Sequence, residues 1–292
     1  MKNSEIRKTN IAFFGTPKFS VQVLDELQKS GIIPKVIITA PDKPKGRKLI
    51  VTPPPTKVWA EKNNIEIIQP QKLDSDFYQK LKDTDCDLFI IAAYGKIIPN
   101  NILDIPKYKT LNIHPSLLPK YRGATPIQSA ILSGDNETGM TIIQLDEEMD
   151  HGPILAQEII DISDIPHISE LSEKLARLGA NILAEIIPSW IAGELKPKGQ
   201  EHDLATFTKK IKTTDAEINL NKNPLENFRK IQSYGDNPKP YFFIKNKNNP
   251  DKKIRVIIKE ADYKDGELIL KKLIPEGKKE MDYKTLTNNF LK

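Results

Sequence analysis

Short apolar runs alternate with amphipathic segments from Ile11 to Pro188, and this alternation restricts the fold more than any other feature of the sequence. The first run ends at the turn Gly15–Pro17, and apolar residues at helical spacing then predict a helix that stops at Gly31. Further apolar runs follow at Val36–Ile38, Ile65–Ile68, Leu88–Ala92, Thr110–Ile113 and Thr138–Leu145. Apolar strands that alternate with helices are typical of a parallel, doubly wound α/β sheet.

The pattern continues to the end of this region and then changes. Ile154–Ile160 is expected to be an edge strand, and Ile168–Ile187 a long helix with one apolar face. Pro188 should end this helix, and Gly, Pro, Lys and Gln then cluster in a stretch of linker composition, Gly193–Asp203. We therefore predict a Rossmann-like, parallel-rich α/β domain at residues 1–189 and a linker at 190–209.

The C-terminal part, residues 210–292, has short strand-like segments separated by Asn, Gly, Pro and Lys. The predicted strands are Tyr241–Ile244, Ile254–Ile258, Glu267–Leu273 and Met281–Leu286, and Lys245–Lys253 is predicted to be a loop. From Lys210 onward, 19 Lys and Arg stand against 12 Asp and Glu. This pattern predicts a small basic β-barrel of OB-like type that binds a polyanion such as nucleic acid, although a lysine-rich surface without that role would look the same.

Composition argues against several broad classes of protein. No stretch approaches 18 consecutive apolar residues, and no secretory signal is evident, so we expect a cytoplasmic protein that does not enter a membrane. The single cysteine, Cys86, excludes an internal disulfide and a Cys-x-x-Cys site, and its apolar neighbours favour a place in the core. Because no long exposed apolar stripe is evident, we expect a monomer.

Three polar residues are the candidates for catalysis. Asn112 and His114 lie two positions apart at the end of a predicted strand, so their side chains should enter the same space, outside the carboxyl edge of the sheet. Asp150 follows the next strand, in a loop bounded by Gly152 and Pro153. An imidazole that carries a proton and an amide that stabilises an oxyanion suit acyl transfer. The alternative is that Asn112 caps a turn and His114 is structural.

Other chemistries fit the sequence less well. The turn Gly15–Pro17 lacks the further glycines of a dinucleotide-binding loop. One imidazole and one carboxylate fall short of a zinc site, so we expect no metal. Ser116 follows no nucleophile-elbow motif, which disfavours a Ser-His-Asp hydrolase.

Two further loops leave the predicted carboxyl edge. The segment 41–55 is rich in proline and basic residues, so we expect an exposed loop that contacts a polyanion or is merely solvated. Its basic residues are Lys43, Lys45, Arg47 and Lys48. In the second loop, Tyr94, Ile97 and Ile98 could line a flat aromatic ligand or could pack into the core.

At this point the sequence resembles a known family. Asn112–Pro119, followed by Arg122-Gly123 and by Asp150-His-Gly152, resembles the signature of the folate-dependent formyltransferases. The branch that formylates methionyl-tRNA is similar at Phe14–Pro17, Pro41–Lys48, Ala93–Gly95, Ile98–Pro99, Gly139–Ile142, Phe228–Ile231, Asn237–Pro238 and Gly277–Lys279. The resemblance extends over nearly the whole chain.

The resemblance implies a formyl donor, 10-formyltetrahydrofolate, and an acceptor, initiator methionyl-tRNA. It makes Asn112, His114 and Asp150 the catalytic set, and it assigns part of the folate site to the stretch of Ser116, Leu117, Leu118 and Pro119. It also implies that Arg47 meets the acceptor end of the tRNA. Two rival hypotheses remain open, a sugar-nucleotide N-formyltransferase with the same catalytic residues and a non-catalytic RNA-binding protein.

Overall fold

A computed structural model describes residues 8–46, 48–235, 237–246 and 249–291. The strands are β1 (Ile11–Gly15), β2 (Val36–Ile38), β3 (Lys43–Lys45), β4 (Ile50–Thr52), β5 (Glu66–Ile68), β6 (Leu88–Ala92), β7 (Thr110–His114), β8 (Arg122–Gly123), β9 (Glu137–Gln144), β10 (Ile154–Asp161), β11 (Phe207–Thr208), β12 (Tyr241–Asn246), β13 (Asn249–Lys264), β14 (Glu267–Pro275) and β15 (Met281–Asp282). The helices are α1 (Lys18–Lys29), α2 (Pro55–Lys62), α3 (Ser75–Lys82), α4 (Asn100–Leu103), α5 (Pro126–Ser133), α6 (Ile168–Ile191), α7 (Pro224–Tyr234) and α8 (Tyr283–Leu286).

The described residues form two compact units. The first contains the described residues up to Ala124, together with Thr138–Ile160 and Ser172–Thr208. The second contains Thr125–Glu137, Asp161–Leu171 and the described residues from Lys209 onward. The domain boundaries expected from the sequence, 1–189, 190–209 and 210–292, stay a prediction.

A seven-stranded sheet is the centre of the first unit, in the order β10-β9-β7-β6-β1-β2-β5. The strands from β7 to β5 pair in parallel, whereas β9 runs antiparallel to β7. Every residue of β1, β6 and β7 is buried, which requires cover on both faces of the sheet. The predicted parallel-rich α/β fold is confirmed, and so is the place of β10 at an edge.

Helix α6 packs against strand β7 of the sheet. A side chain at Gly179 would lie 2.6 Å from Ile113 Cγ2, so glycine allows the helix to approach the strand closely. The predicted end of this helix at Pro188 is wrong, because the helix continues to Ile191 with Pro188 inside it. The Trp190 indole donates a hydrogen bond to the carbonyl of Tyr108 at 2.7 Å, which anchors the last turn.

The basic segment after β2 is exposed, as predicted, but it is not an irregular loop. It forms a short antiparallel hairpin in which Lys43 lies opposite Thr52 and Lys45 opposite Ile50. Ladder hydrogen bonds hold the two strands, and Pro55 then takes the first position of α2, where its missing N–H is not needed. The side chains of Leu49, Ile50 and Val51 are largely exposed beside the lysines.

The segment after α6 has linker composition but packs against the first unit. Lys198 and Ile154 exchange backbone hydrogen bonds of 2.7 and 2.8 Å, and β11 pairs in parallel with β8. Gln200 is buried. Composition therefore misses that these residues are part of the unit that carries the candidate site.

The second unit contains the antiparallel sheet β12-β13-β14-β15, which confirms a small β domain. Its closure into an OB-like barrel stays a prediction. The predicted loop Lys245–Lys253 is wrong where it is described, because β12 extends to Asn246 and β13 begins at Asn249. The predicted strand Met281–Leu286 is also wrong beyond Asp282, whose side chain caps helix α8 by accepting a hydrogen bond from the Thr285 N–H.

Cys86 lies buried among apolar residues of the first unit, as expected, and burial raises the pKa of its thiol. Within the described part of the chain, no helix combines the length and the apolar character needed to cross a membrane.

Candidate active site

Strand β7 presents Asn112 and His114 on the same face at its carboxyl end. Asn112 lies opposite Ile143 and His114 opposite Thr141 in the pairing with β9. Both side chains are nearly buried, with 8% and 4% of their surface exposed. The two-residue spacing therefore places both side chains at the carboxyl edge of the sheet, as the sequence predicts.

Asp150 reaches this place from the loop after β9. Its side chain is 13% exposed. Oδ1 lies 3.2 Å from the Asn112 amide nitrogen and 3.4 Å from His114 Nδ1, whereas Oδ2 accepts a 2.8 Å hydrogen bond from the Gly123 N–H. The structure thus brings the three predicted catalytic residues together, with the Asp150 carboxylate facing both Asn112 and His114.

Both ring nitrogens of His114 face oxygen atoms. Nε2 lies 3.1 Å from the carbonyl oxygen of Tyr121, and Nδ1 faces Asp150 Oδ1 at 3.4 Å. A carbonyl accepts hydrogen bonds and does not donate them, so Nε2 carries a proton in this arrangement. Nδ1, the other ring nitrogen, is then the one that faces the Asp150 carboxylate.

The surroundings of Asp150 act on its pKa in opposite directions. Burial is the largest single influence and raises the pKa, because it disfavours the charged form. The charge and hydrogen bond of His114, the Gly123 N–H and the charge of Arg122 lower it, and together they hold the pKa below the ordinary value for aspartate. The carboxylate is therefore ionised at neutral pH.

A second polar group lies next to the catalytic residues, around Arg122 and Gln200. Both side chains are buried, and Gln200 Oε1 accepts hydrogen bonds from Arg122 Nη2 at 2.7 Å and from Nε at 3.3 Å. Arg122 Nη2 also donates to His202 Nδ1 at 2.8 Å. The ring of His202 stacks on His151, whose Nδ1 lies 2.7 Å from Asp146 Oδ2.

Sequence reasoning missed Gln200 and His202 as parts of this site. They lie in the segment that composition marks as a linker, and no pattern in one sequence shows that a glutamine there is buried. The sequence points to Arg122 only through the family resemblance.

The stretch predicted to bind folate forms the turn after β7. Ser116 is buried, and its hydroxyl donates to the carbonyl of Lys120 at 2.6 Å. Leu118 is also buried, and its carbonyl accepts a 3.0 Å hydrogen bond from the Gln157 amide. Leu117 and Pro119 are half-buried, so they present the accessible side chains of the stretch.

The three residues of the second loop predicted to bind folate differ in exposure. Tyr94 and Ile98 are buried in the core, where Tyr94 packs edge-to-face against Phe14 and burial raises the pKa of its hydroxyl to about 12. The side chain of Ile97 is 81% exposed.

The basic residues predicted to bind tRNA lie on the β3–β4 hairpin. Lys43, Lys45 and Lys48 are exposed, and Arg47 lies outside the described residues. Lys96 is near enough to Lys43 for its pKa to be lowered, first by burial and then by the repulsion between the two charges. Among the described residues, no group of three or more His, Cys, Asp or Glu side chains is arranged to hold a metal ion.

Comparison with known proteins gives a consistent result. The Formyl transferase family matches residues 9–187. Methionyl-tRNA formyltransferase from Halalkalibacterium halodurans is 45% identical over 73% of this chain and 67% of its own, and that from Chloroflexus aurantiacus is 38% identical over 86% and 81%. The structure of methionyl-tRNA formyltransferase from Clostridium thermocellum shares the fold, with a TM-score of 0.60 and 19% identity over 94% of this chain and 99% of the other. The chain belongs to the formyl transferase family, among the methionyl-tRNA formyltransferases.

Proposed function

We propose that this enzyme transfers the formyl group of 10-formyltetrahydrofolate to the α-amino group of initiator methionyl-tRNA, with Asn112, His114 and Asp150 as its catalytic residues. One observation carries the assignment of these residues. A single carboxylate oxygen, Asp150 Oδ1, faces both the Asn112 amide and the His114 imidazole at the carboxyl end of β7.

The reaction needs one proton to be removed and one to be supplied. The neutral amine of the methionyl ester attacks the formyl carbon and forms a C–N bond, which gives a tetrahedral intermediate with a negative oxygen. The bond from that carbon to N10 of the folate then breaks, and N10 gains a proton as it leaves. A single group that accepts the amine proton and returns it to N10 serves both steps.

In our proposal His114 is this group. It takes up and returns the proton at Nδ1, because Nε2 already donates to the Tyr121 carbonyl, and the other two residues support it. The ionised Asp150 carboxylate stabilises the imidazolium that forms when His114 holds the proton. The Nδ1–Oδ1 distance of 3.4 Å is long for a hydrogen bond, as is common before substrates are bound. The Asn112 amide nitrogen carries two hydrogens, so it can donate one to Asp150 and the other to the oxyanion.

The substrates are proposed to bind at the neighbouring loops. The accessible side chains of Leu117, Pro119 and Ile97 are apolar, which suits the flat ring of a folate. Lys43, Lys45 and Lys48 project from an exposed hairpin, which suits the phosphates of a tRNA, and we assign Arg47 the same role. The basic part of the chain, 210–292, is proposed to bind tRNA as well, and the enzyme to act as a cytoplasmic monomer.

Single-turnover formylation of charged initiator tRNA tests the proposal. Wild-type protein should transfer the formyl group from 10-formyltetrahydrofolate, and His114→Ala, Asp150→Ala and Asn112→Ala should each lower the rate by about 100-fold or more. Binding of tRNA should be nearly unchanged in these variants. His167→Ala, which removes a half-buried imidazole from the second unit, is the matched control and should keep the wild-type rate.

Two results would contradict the proposal. Formylation of an amino-sugar nucleotide in preference to methionyl-tRNA would assign a different acceptor. Binding of tRNA by wild-type protein without any folate-dependent turnover would instead favour an RNA-binding protein that is not an enzyme.

A further inference from the structure

Asp150 has an unusual backbone conformation for a residue with a side chain. Its φ angle is +50°, in the left-handed region that costs an ordinary residue about 1 kcal/mol or more. This conformation directs the two carboxylate oxygens to different partners, Oδ1 towards His114 and Oδ2 towards the Gly123 N–H. The contacts that the surrounding structure makes with this turn are therefore of interest.

Gln200 makes the contacts that hold this turn. Its side-chain nitrogen donates hydrogen bonds to the carbonyl oxygens of Asp150, at 2.9 Å, and of Gly152, at 2.7 Å. The two carbonyls lie on either side of His151, so one amide group joins both ends of a three-residue segment. Gln200 is 8% exposed, and these hydrogen bonds are therefore shielded from water.

Arg122 determines the orientation of this amide. Its guanidinium contacts Gln200 Oε1 through Nη2 and Nε. Because arginine has only hydrogen-bond donors, the oxygen of the amide must face Arg122 and the nitrogen must face the two carbonyls. The chain of contacts thus runs from a buried guanidinium through Gln200 to the backbone of Asp150.

We propose that Gln200 is a positioning residue for the reaction, which holds Asp150 in its left-handed conformation so that the carboxylate meets His114 and Asn112. This inference rests on the proposed role of Asp150 in formyl transfer. Gln200 reaches the site through the backbone of the loop and not through the substrates, so its loss affects the rate of the chemical step more than substrate binding.

Gln200→Glu is the decisive variant. Gln200→Ala would leave the buried Arg122 without its acceptor and could fail to fold, whereas glutamate has the same shape and keeps that acceptor as an ion pair. The positive charge of Arg122 keeps the new carboxylate ionised. Its second oxygen then faces the carbonyls of Asp150 and Gly152, to which it has no proton to donate, so the turn loses both hydrogen bonds.

The experiment compares kcat and KM for both substrates in wild-type protein, Gln200→Glu and Gln28→Glu. Gln28 is the matched control, because it lies in α1 and its side-chain amide also donates a hydrogen bond, to Oδ1 of Asn63, the residue that follows α2. We expect kcat of Gln200→Glu to fall by about 10- to 100-fold with both KM values within about 3-fold of wild type, while Gln28→Glu keeps the wild-type kcat. A crystal structure of Gln200→Glu should show a changed φ at Asp150.

The outcomes separate this inference from the proposed function. A folded Gln200→Glu protein with wild-type kcat, or with its loss confined to KM, would overturn the positioning role. Failure of wild-type protein to transfer a formyl group would overturn the proposed function. In that case the crystal structure of Gln200→Glu still tests whether Gln200 holds the turn. A changed φ at Asp150 supports this role, and an unchanged φ overturns it.

Discussion

Gly152 offers the sharpest test of how the loop after β9 supports the site. A Cβ atom at Gly152 would lie 1.9 Å from the carbonyl oxygen of Gln144, whereas such contacts are essentially never below 3.0 Å. The backbone of the loop and the end of β9 must therefore separate by about 1 Å to accommodate alanine. The hydrogen bond from the Gln144 N–H to the Pro153 carbonyl, 3.0 Å long, opposes that movement.

The displacement lies two residues from Asp150, and this sets the expected magnitude. A misplacement of about 1 Å at a catalytic group can lower a rate by about 100-fold, which corresponds to about 2.7 kcal/mol in the activation free energy. Insertion of a methyl group into a filled space also lowers the free energy of unfolding, by about 1–3 kcal/mol. Gly152→Ala should therefore be less stable but still folded, with a much lower kcat.

Single-turnover formylation and thermal unfolding of Gly152→Ala measure the two effects separately. Gly199→Ala is the matched control, because a Cβ atom there has no neighbour within 4 Å among the described residues, and it should keep the wild-type rate. A folded Gly152→Ala protein with wild-type kcat would refute the reasoning. An equal loss of rate in Gly199→Ala would show that the effect does not arise from the contact with Gln144.

Three other variants test separate parts of the structure. The pKa of Asp150 is lowered in the folded protein, so its ionised form adds stability above about pH 4 that is lost as the pH falls through the lowered pKa. Asp150→Asn should therefore weaken the fall in the free energy of unfolding on acidification, measured by urea titration between about pH 2 and pH 5; an unchanged pH dependence would contradict this. Trp190→Phe removes the hydrogen bond to Tyr108 and should lower the free energy of unfolding by about 1 kcal/mol without a change in kcat; equal stability would refute the anchoring role. Lys45→Glu should weaken tRNA binding and reduce the slope of log affinity against log salt by about 1, whereas Arg177→Glu should not; equal slopes in the two variants would remove the hairpin from the tRNA site.

The α/β fold could be predicted because its signals are local and repeated. The strand at Ile11 and the strand at Leu88 are entirely apolar, and only burial on both faces satisfies such a strand. Asn112 and His114 could likewise be placed together, because a strand alternates its side chains with a fixed period of two.

Predictions failed where tertiary contacts outweigh local preference. Pro188 is a helix breaker by propensity, but contacts such as the Trp190 hydrogen bond hold the last turn of α6. Met281–Leu286 has the composition of a strand, but the cap by Asp282 starts a helix after two residues. The hairpin of the basic segment depends on pairing between β3 and β4, two short stretches whose composition each predicts a loop.

The sequence by itself determines the alternation of strands and helices, the parallel sheet, the edge at which Asn112 and His114 lie and the family of the enzyme. These depend on periodicity and on motifs that are continuous in the chain. Only the tertiary structure decides that Asp150 turns one oxygen towards both residues, that its backbone is left-handed and that Gln200, fifty residues later, holds that turn. The physical reason is that hydrogen bonds across such separations depend on how the chain packs, which no local pattern records.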